Sequence, residues 1–244
     1  MRALHYKILV CGGSSFRAIN ETLPQLTYEA GMERGFLVAP ESNTNWIKAR
    51  YVYTKLGKQV SLDPETLEQV EEPTESLVEA RFELDQKKGL VMVEQRRGDL
   101  EAIYEALESL PDVHSAFEDL NLNLKDLMFE IQGAYKKNTV KTLRIKDYLA
   151  RENMLGSASF KVLEEQDAEK LAEKFDDQLE AFTLQLKLPD GACNLTVTRK
   201  GSVRASDNMP DEVLMFVKDL LPQFHEAEVE TTEVHSPVAA QRKN

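Results

Sequence analysis

Apolar and polar positions alternate with period two in some stretches of this chain and recur at helical spacing in others, so it predicts a mixture of strands and amphipathic helices. Tyr6–Val10 reads as a buried strand stopped by Gly12-Gly13-Ser14-Ser15, with Ser14 or Ser15 capping a short helix that runs to Pro24. Phe36–Ala39 reads as a short strand. Arg50–Lys55 reads as another, because it alternates and is rich in aromatic and β-branched side chains. Gly57-Lys58 then predicts a hairpin turn into Gln59–Leu62, with a further turn over Asp63–Leu67. Leu77–Leu84 and Leu90–Gln95 form the clearest hairpin, turning at Gly89, and Asp99 is placed to cap a helix reaching Leu110. Residues 113–130 predict a second helix, although Leu120, Leu122 and Leu124 alternate.

The second half begins with Val140–Ile145, a strand or the start of a helix, and breaks at Gly156-Ser157. Ser159–Leu163 is a short strand, and Asp167 caps a charged helix with Ala168, Leu171, Ala172 and Phe175 on its apolar side. Ala181–Leu188 and Cys193–Thr198 pair around Pro189-Asp190-Gly191. Ser202–Ala205 follows, and the last helix is capped by Asp207 or Asn208 with Pro210 near its start. From Glu226 the periodicity ends, which predicts a disordered tail over 226–244.

Two blocks share a plan: Phe82–Leu110 and Leu184–Leu221 each run strand, glycine turn, strand, basic-basic-Gly, helix, with one extra strand in the second. Coincidence and a true repeat explain this about equally well. The expected fold class is α+β, with two small lobes of antiparallel sheet and helices packed on one face. The lobes are expected over 1–133 and 134–225.

Composition narrows the function classes. Hydrophobic residues are 42% and charged residues 30%, which fits a packed globular chain rather than a disordered one. No apolar run reaches the length of a membrane span and the N-terminus lacks the apolar region of a secretory signal. With only Cys11 and Cys193, neither at a metal-ligand spacing, a cytoplasmic protein without disulfides is expected. The net charge of −12 is segregated: residues 1–60 carry 8 basic and 4 acidic side chains, 61–130 carry 6 and 19, and 131–161 carry 7 and 2. A globally basic nucleic-acid binder is therefore excluded, while a local basic surface is not.

Candidate chemistry is sparse. Cys11-Gly-Gly-Ser-Ser15 follows a strand as phosphate loops do, but it lacks both the Walker ending and the dinucleotide-binding glycine spacing. His5, His114, His225 and His235 are widely separated, and Cys11 reads as a structural thiol. Glu83, Asp85 and Lys87, with Asp63 upstream, have the residue types of a metal-dependent phosphodiesterase, in a stretch where a hairpin turn already expects them.

The basic stretch 135–151 carries Lys136, Lys137, Lys141, Arg144, Lys146 and Arg151, interleaved with Tyr135 and Tyr148. Arg96, Arg97, Arg199 and Lys200 extend that surface if the two blocks are related. Such a surface suits phosphates, with the tyrosines stacking on bases, or an acidic protein segment. The expected function is thus a non-catalytic binding or accessory subunit of a larger cytosolic complex, with protein partners and no cofactor. Nucleic-acid binding through the basic residues is the first alternative, and a metal-dependent nuclease is the second.

Overall fold

The computed structural model describes residues 1–62, 68–151 and 154–227. Strand accounts for 48% and helix for 28%, so an antiparallel sheet organises an α+β fold. In chain order the elements are β1 (Arg2–Cys11), α1 (Gly13–Thr22), β2 (Arg34–Val38), β3 (Trp46–Leu62), β4 (Gln69–Asp85) and β5 (Leu90–Glu94). Then come α2 (Asp99–Glu108), β6 (Ser115–Glu118), α3 (Leu124–Ala134), β7 (Asn138–Arg151) and β8 (Met154–Lys161). The chain closes with α4 (Glu165–Lys174), β9 (Leu179–Leu188), β10 (Gly191–Thr198), β11 (Ser202–Ala205) and α5 (Asp211–Leu220).

One sheet runs through both halves, in the order β2-β3-β4-β5-β1-β11-β10-β9-β7-β8, and β6 also pairs with β1. The first strand of the chain is the seam. Leu4–Ile8 of β1 pair with β5, while its other edge takes β11 at Arg2–His5 and β6 at Ile8–Cys11. Apolar side chains sort into two cores. Phe16 and Ile19 of α1 and Leu100, Ile103 and Leu107 of α2 pack with Ile47, Tyr51, Phe82, Val91 and Val93. α3, α4 and α5 supply Leu127, Ala172 and Val217 to a second core with Leu4, Tyr6, Leu90, Met92, Phe182 and Leu195. Alternate residues of β5 therefore enter different cores, which explains why Leu90–Val93 is uninterruptedly apolar. Each such side chain contributes roughly 2 kcal/mol when buried, far more than intrinsic propensity for short helices like these.

Several expected local features fall elsewhere. Gly57-Lys58 is no turn: β3 runs straight through, with Leu56 opposite Glu75 and Gly57 opposite Thr74. Residues 113–130 are not one helix; β6 and then α3 occupy that stretch, because Leu120 and Leu122 alternate into the second core and Leu122 N–H donates to the Arg199 carbonyl. Asn123 supplies the true cap of α3, its side chain accepting from Asp126 N–H at 3.0 Å. Gly156 is not a break after β7 but lies within β8, opposite Tyr148. Asp99 and Asp167 lie within the first turns of α2 and α4, and α1 and α5 start without a side-chain cap. Ser15 instead accepts from His114 N–H at 3.2 Å, tying α1 to the segment before β6. The Asp63–Leu67 turn and the tail from residue 228 lie outside the described residues. Among the described residues no helix is long and apolar enough to cross a membrane.

Candidate interaction surfaces

The most exposed apolar surface lies on a feature that sequence reasoning broke in two. β3 pairs with β2 only up to Tyr53, and β4 pairs with β5 only from Phe82. Beyond those limits Thr54 still donates to the Glu33 carbonyl at 3.0 Å, and among the described residues Lys55–Leu62 and Gln69–Ser76 pair only with each other, as a two-stranded arm projecting from the sheet. Leu56, Val60 and Leu62 are separated by even spacings on β3, and Leu77, opposite Thr54, falls on the same face. They are 74%, 56%, 62% and 58% exposed. Glu71 and Glu75 border this stripe, opposite Val60 and Leu56, and Lys58 pairs with Glu71 at 2.6 Å. The signal was present in the sequence as Leu56-x-Lys58-x-Val60-x-Leu62; reading Gly57-Lys58 as a turn concealed it.

The basic residues do not assemble into one patch. Lys136 and Lys137 are exposed in the link between α3 and β7. Lys141, Arg144 and Lys146 lie on β7, an interior strand whose Leu143 and Ile145 are fully buried. Arg144 is paired with Glu180 at 2.9 Å, and the side chain of Arg151 lies outside the described residues. Arg199 is a bracket within the fold, donating to the carbonyls of Leu179 at 2.8 Å and Asp176 at 2.7 Å, whereas Lys200 beside it is exposed. Arg97 faces Asp119 at 3.7 Å and Arg96 is exposed, both just after β5. β5 and β7 are five strand steps apart in the sheet. At about 4.8 Å per step that is roughly 24 Å. The tyrosines are engaged as well: Tyr135 packs edge-on against Phe216, and Tyr148 against Phe160 and Phe175.

A cluster that sequence reasoning did not join sits at the seam. His5 Nδ1 and Ser202 Oγ are 2.8 Å apart across β1 and β11, and Tyr53 donates to Asp99 at 3.2 Å. Burial lowers the His5 pKa, a hydrogen bond with the Gln95 backbone opposes this, and the Arg204 and Arg97 charges lower it further. Burial raises the Asp99 pKa against the Tyr53 hydrogen bond and the charges of Arg96 and Lys55. The Tyr53 phenol is pushed up to about 12 by its burial and by Asp99. The charges of Arg204 and Arg97 thus act on His5, and those of Arg96 and Lys55 on Asp99.

The carboxylates of the nuclease alternative are already occupied. Lys218 of α5 lies 2.9 Å from Glu83 and 3.5 Å from Asp85, all three less than one-fifth exposed, so this network fastens α5 to β4. Lys87 is exposed, and Asp63 lies outside the described residues. Among the described residues no cluster of three or more His, Cys, Asp or Glu side chains is disposed to hold a metal ion. Burial raises the Cys11 thiol pKa, which disfavours the thiolate a nucleophile needs. Comparison with protein-family models and with curated proteins found no match.

Proposed function

We propose that this protein is a non-catalytic binding subunit that docks onto a partner protein through the β3–β4 arm. The observation that carries this reading is the stripe of Leu56, Val60, Leu62 and Leu77, exposed on one face of a ribbon that, among the described residues, pairs with no third strand. A lone two-stranded ribbon is marginally stable in water, and an apolar stripe on it is an aggregation hazard unless covered. The bordering Glu71 and Glu75 favour a partner surface whose apolar strip is flanked by Lys or Arg side chains. A two-lobed organisation belongs to the same reading, supported by the helices, since α1 and α2 pack into one apolar core and α3, α4 and α5 into the other.

The test is affinity capture from the native source with the full chain and with Leu56→Glu/Val60→Glu. Both residues are exposed, so the double variant keeps its thermal stability. We expect a stoichiometric partner that the variant loses. A partner retained equally by the variant, or none at all with wild type, refutes the arm as a docking element.

Nucleic-acid binding is the second reading, favoured by exposed Arg204 on β11, opposite Ala3 of β1, whose carbonyl accepts from Gln95 N–H beside exposed Arg96. Binding to single- and double-stranded DNA and RNA, titrated with salt, tests it. Arg96→Glu/Arg204→Glu should abolish any complex and flatten its salt dependence.

A further inference from the structure

A groove of about 510 Å3 opens in the first half, between α1's following 3-10 turn (Leu23–Leu26), β2, β3 and the end of α2. Its volume lies in the range of small-molecule sites. The floor is aromatic: Phe36 and Tyr51 stack with ring centroids 4.8 Å apart and planes inclined at 28°. Leu26, Met32 and Leu110 supply apolar walls, and Leu26 and Met32 remain 43% and 45% exposed. One wall is held rigidly. Tyr28 N–H donates to the Phe36 carbonyl at 3.0 Å, and the strap lies so close to β2 that a Cβ on Gly35 would fall 2.6 Å from Tyr28 Cα. The groove is therefore formed before any ligand arrives.

Its charge is as specific as its shape. Arg34 is the one ionised side chain among the lining residues, and among the described residues it makes no ion pair. Its guanidinium is near enough to the Tyr51 phenol to pull down a pKa that burial raises. The other end of the groove meets the C-terminus of α2, where Ser109 Oγ donates to the Ala106 carbonyl at 2.7 Å. Helix C-termini repel anions, so a negative group belongs at the Arg34 end. A planar guanidinium, with donors beyond the one it turns to the Tyr51 phenol, matches a carboxylate, and an aromatic floor with aliphatic walls matches an apolar body.

We propose that this groove binds a small amphipathic carboxylate, a medium-chain or aryl acid. Its apolar body lies on Phe36, Tyr51 and Met32, and its carboxylate on Arg34. This site is independent of the arm.

The experiment follows 13C-methyl methionine signals of the full chain during titration with octanoate and with octanol, its uncharged counterpart. The Met32 methyl should shift saturably with both, while Met215 on α5, exposed elsewhere, stays still. Octanoate should bind about 5-fold more tightly than octanol, the scale of one partly solvated charge-assisted bond. Arg34→Gln should remove that preference and leave octanol binding intact. Leu26→Glu, which puts a like charge on the apolar wall, should weaken octanoate more than octanol. A Met32 signal unmoved by either probe overturns the site. An octanoate preference unchanged in Arg34→Gln or Leu26→Glu overturns the assignment of a carboxylate ligand.

Discussion

Gly201 is the position where one added methyl group should do most harm. It has φ +73°, and its carbonyl accepts from Tyr6 N–H at 2.9 Å, so the turn between β10 and β11 is pressed onto β1 at the seam. A Cβ there would fall 2.8 Å from the Tyr6 carbonyl oxygen and 2.6 Å from Leu120 Cδ1. Left-handed backbone costs a non-glycine residue about 1–2 kcal/mol. Leu120 is only 2% exposed and has little room to turn away. An off-rotamer side chain adds about 1 kcal/mol. Gly201→Ala should therefore cost about 3 kcal/mol, or roughly 6–12 °C in Tm for a chain of this size.

Two other glycines isolate the causes. Gly191 has φ +124° with nothing within 4 Å, so Gly191→Ala feels backbone strain without a clash and should cost about 1–2 kcal/mol. Gly98 has φ −64° and open space around it, so Gly98→Ala should be neutral or stabilising by up to about 1 kcal/mol. Urea unfolding followed by circular dichroism ranks the three. If Gly201→Ala unfolds no more easily than Gly191→Ala, close packing of the turn on β1 is refuted.

Lys218→Met should cost about 2 kcal/mol, because among the described residues Glu83 and Asp85 would be left near each other with only Lys88, 4.0 Å from Asp85, as an ion-pair partner. Adding Glu83→Gln should recover at least half of that loss in a double-mutant cycle, and strictly additive effects would show that the three groups are not coupled. His5, whose folded-state pKa is lowered from 6.5, binds its proton more readily when unfolded. Its contribution to stability is thus present above pH 6.5 and is lost as pH falls through that value toward the folded-state pKa. His5→Asn should flatten this part of a pH series of urea midpoints, and an unchanged profile would place the titration elsewhere.

The glycine comparison also bears on the two blocks that share a plan. Arg96-Arg97-Gly98 leads straight into α2, with Gly98 in right-handed helical geometry. Arg199-Lys200-Gly201 closes a hairpin, with Gly201 left-handed and Arg199 bonded to two backbone carbonyls. Similar spelling therefore serves different backbone tasks, a helix entry in one block and a packed turn in the other.

Period-two patterning in the sequence determined the central strands β9 and β10, the short apolar run Leu90–Val93 marked β5, and the glycines with φ +61° and +124° at positions 89 and 191 determined their turns. These signals are local: side-chain alternation and positive φ depend on neighbours a few residues away. The tertiary structure alone decided that β1 joins both halves into one sheet. It also decided that Leu120 and Leu122 pass into a different core from Leu107, and that Lys218 closes on Glu83 across 135 residues. The same holds for function. The basic residues of 136–151 look like one surface along the chain, yet β7 distributes them about an interior strand, Arg144 is neutralised, and the Arg turns lie strands away. The apolar stripe of the arm was written in the sequence, but its exposure was not, because whether an alternating strand faces a core or water depends on which strands pair beyond it.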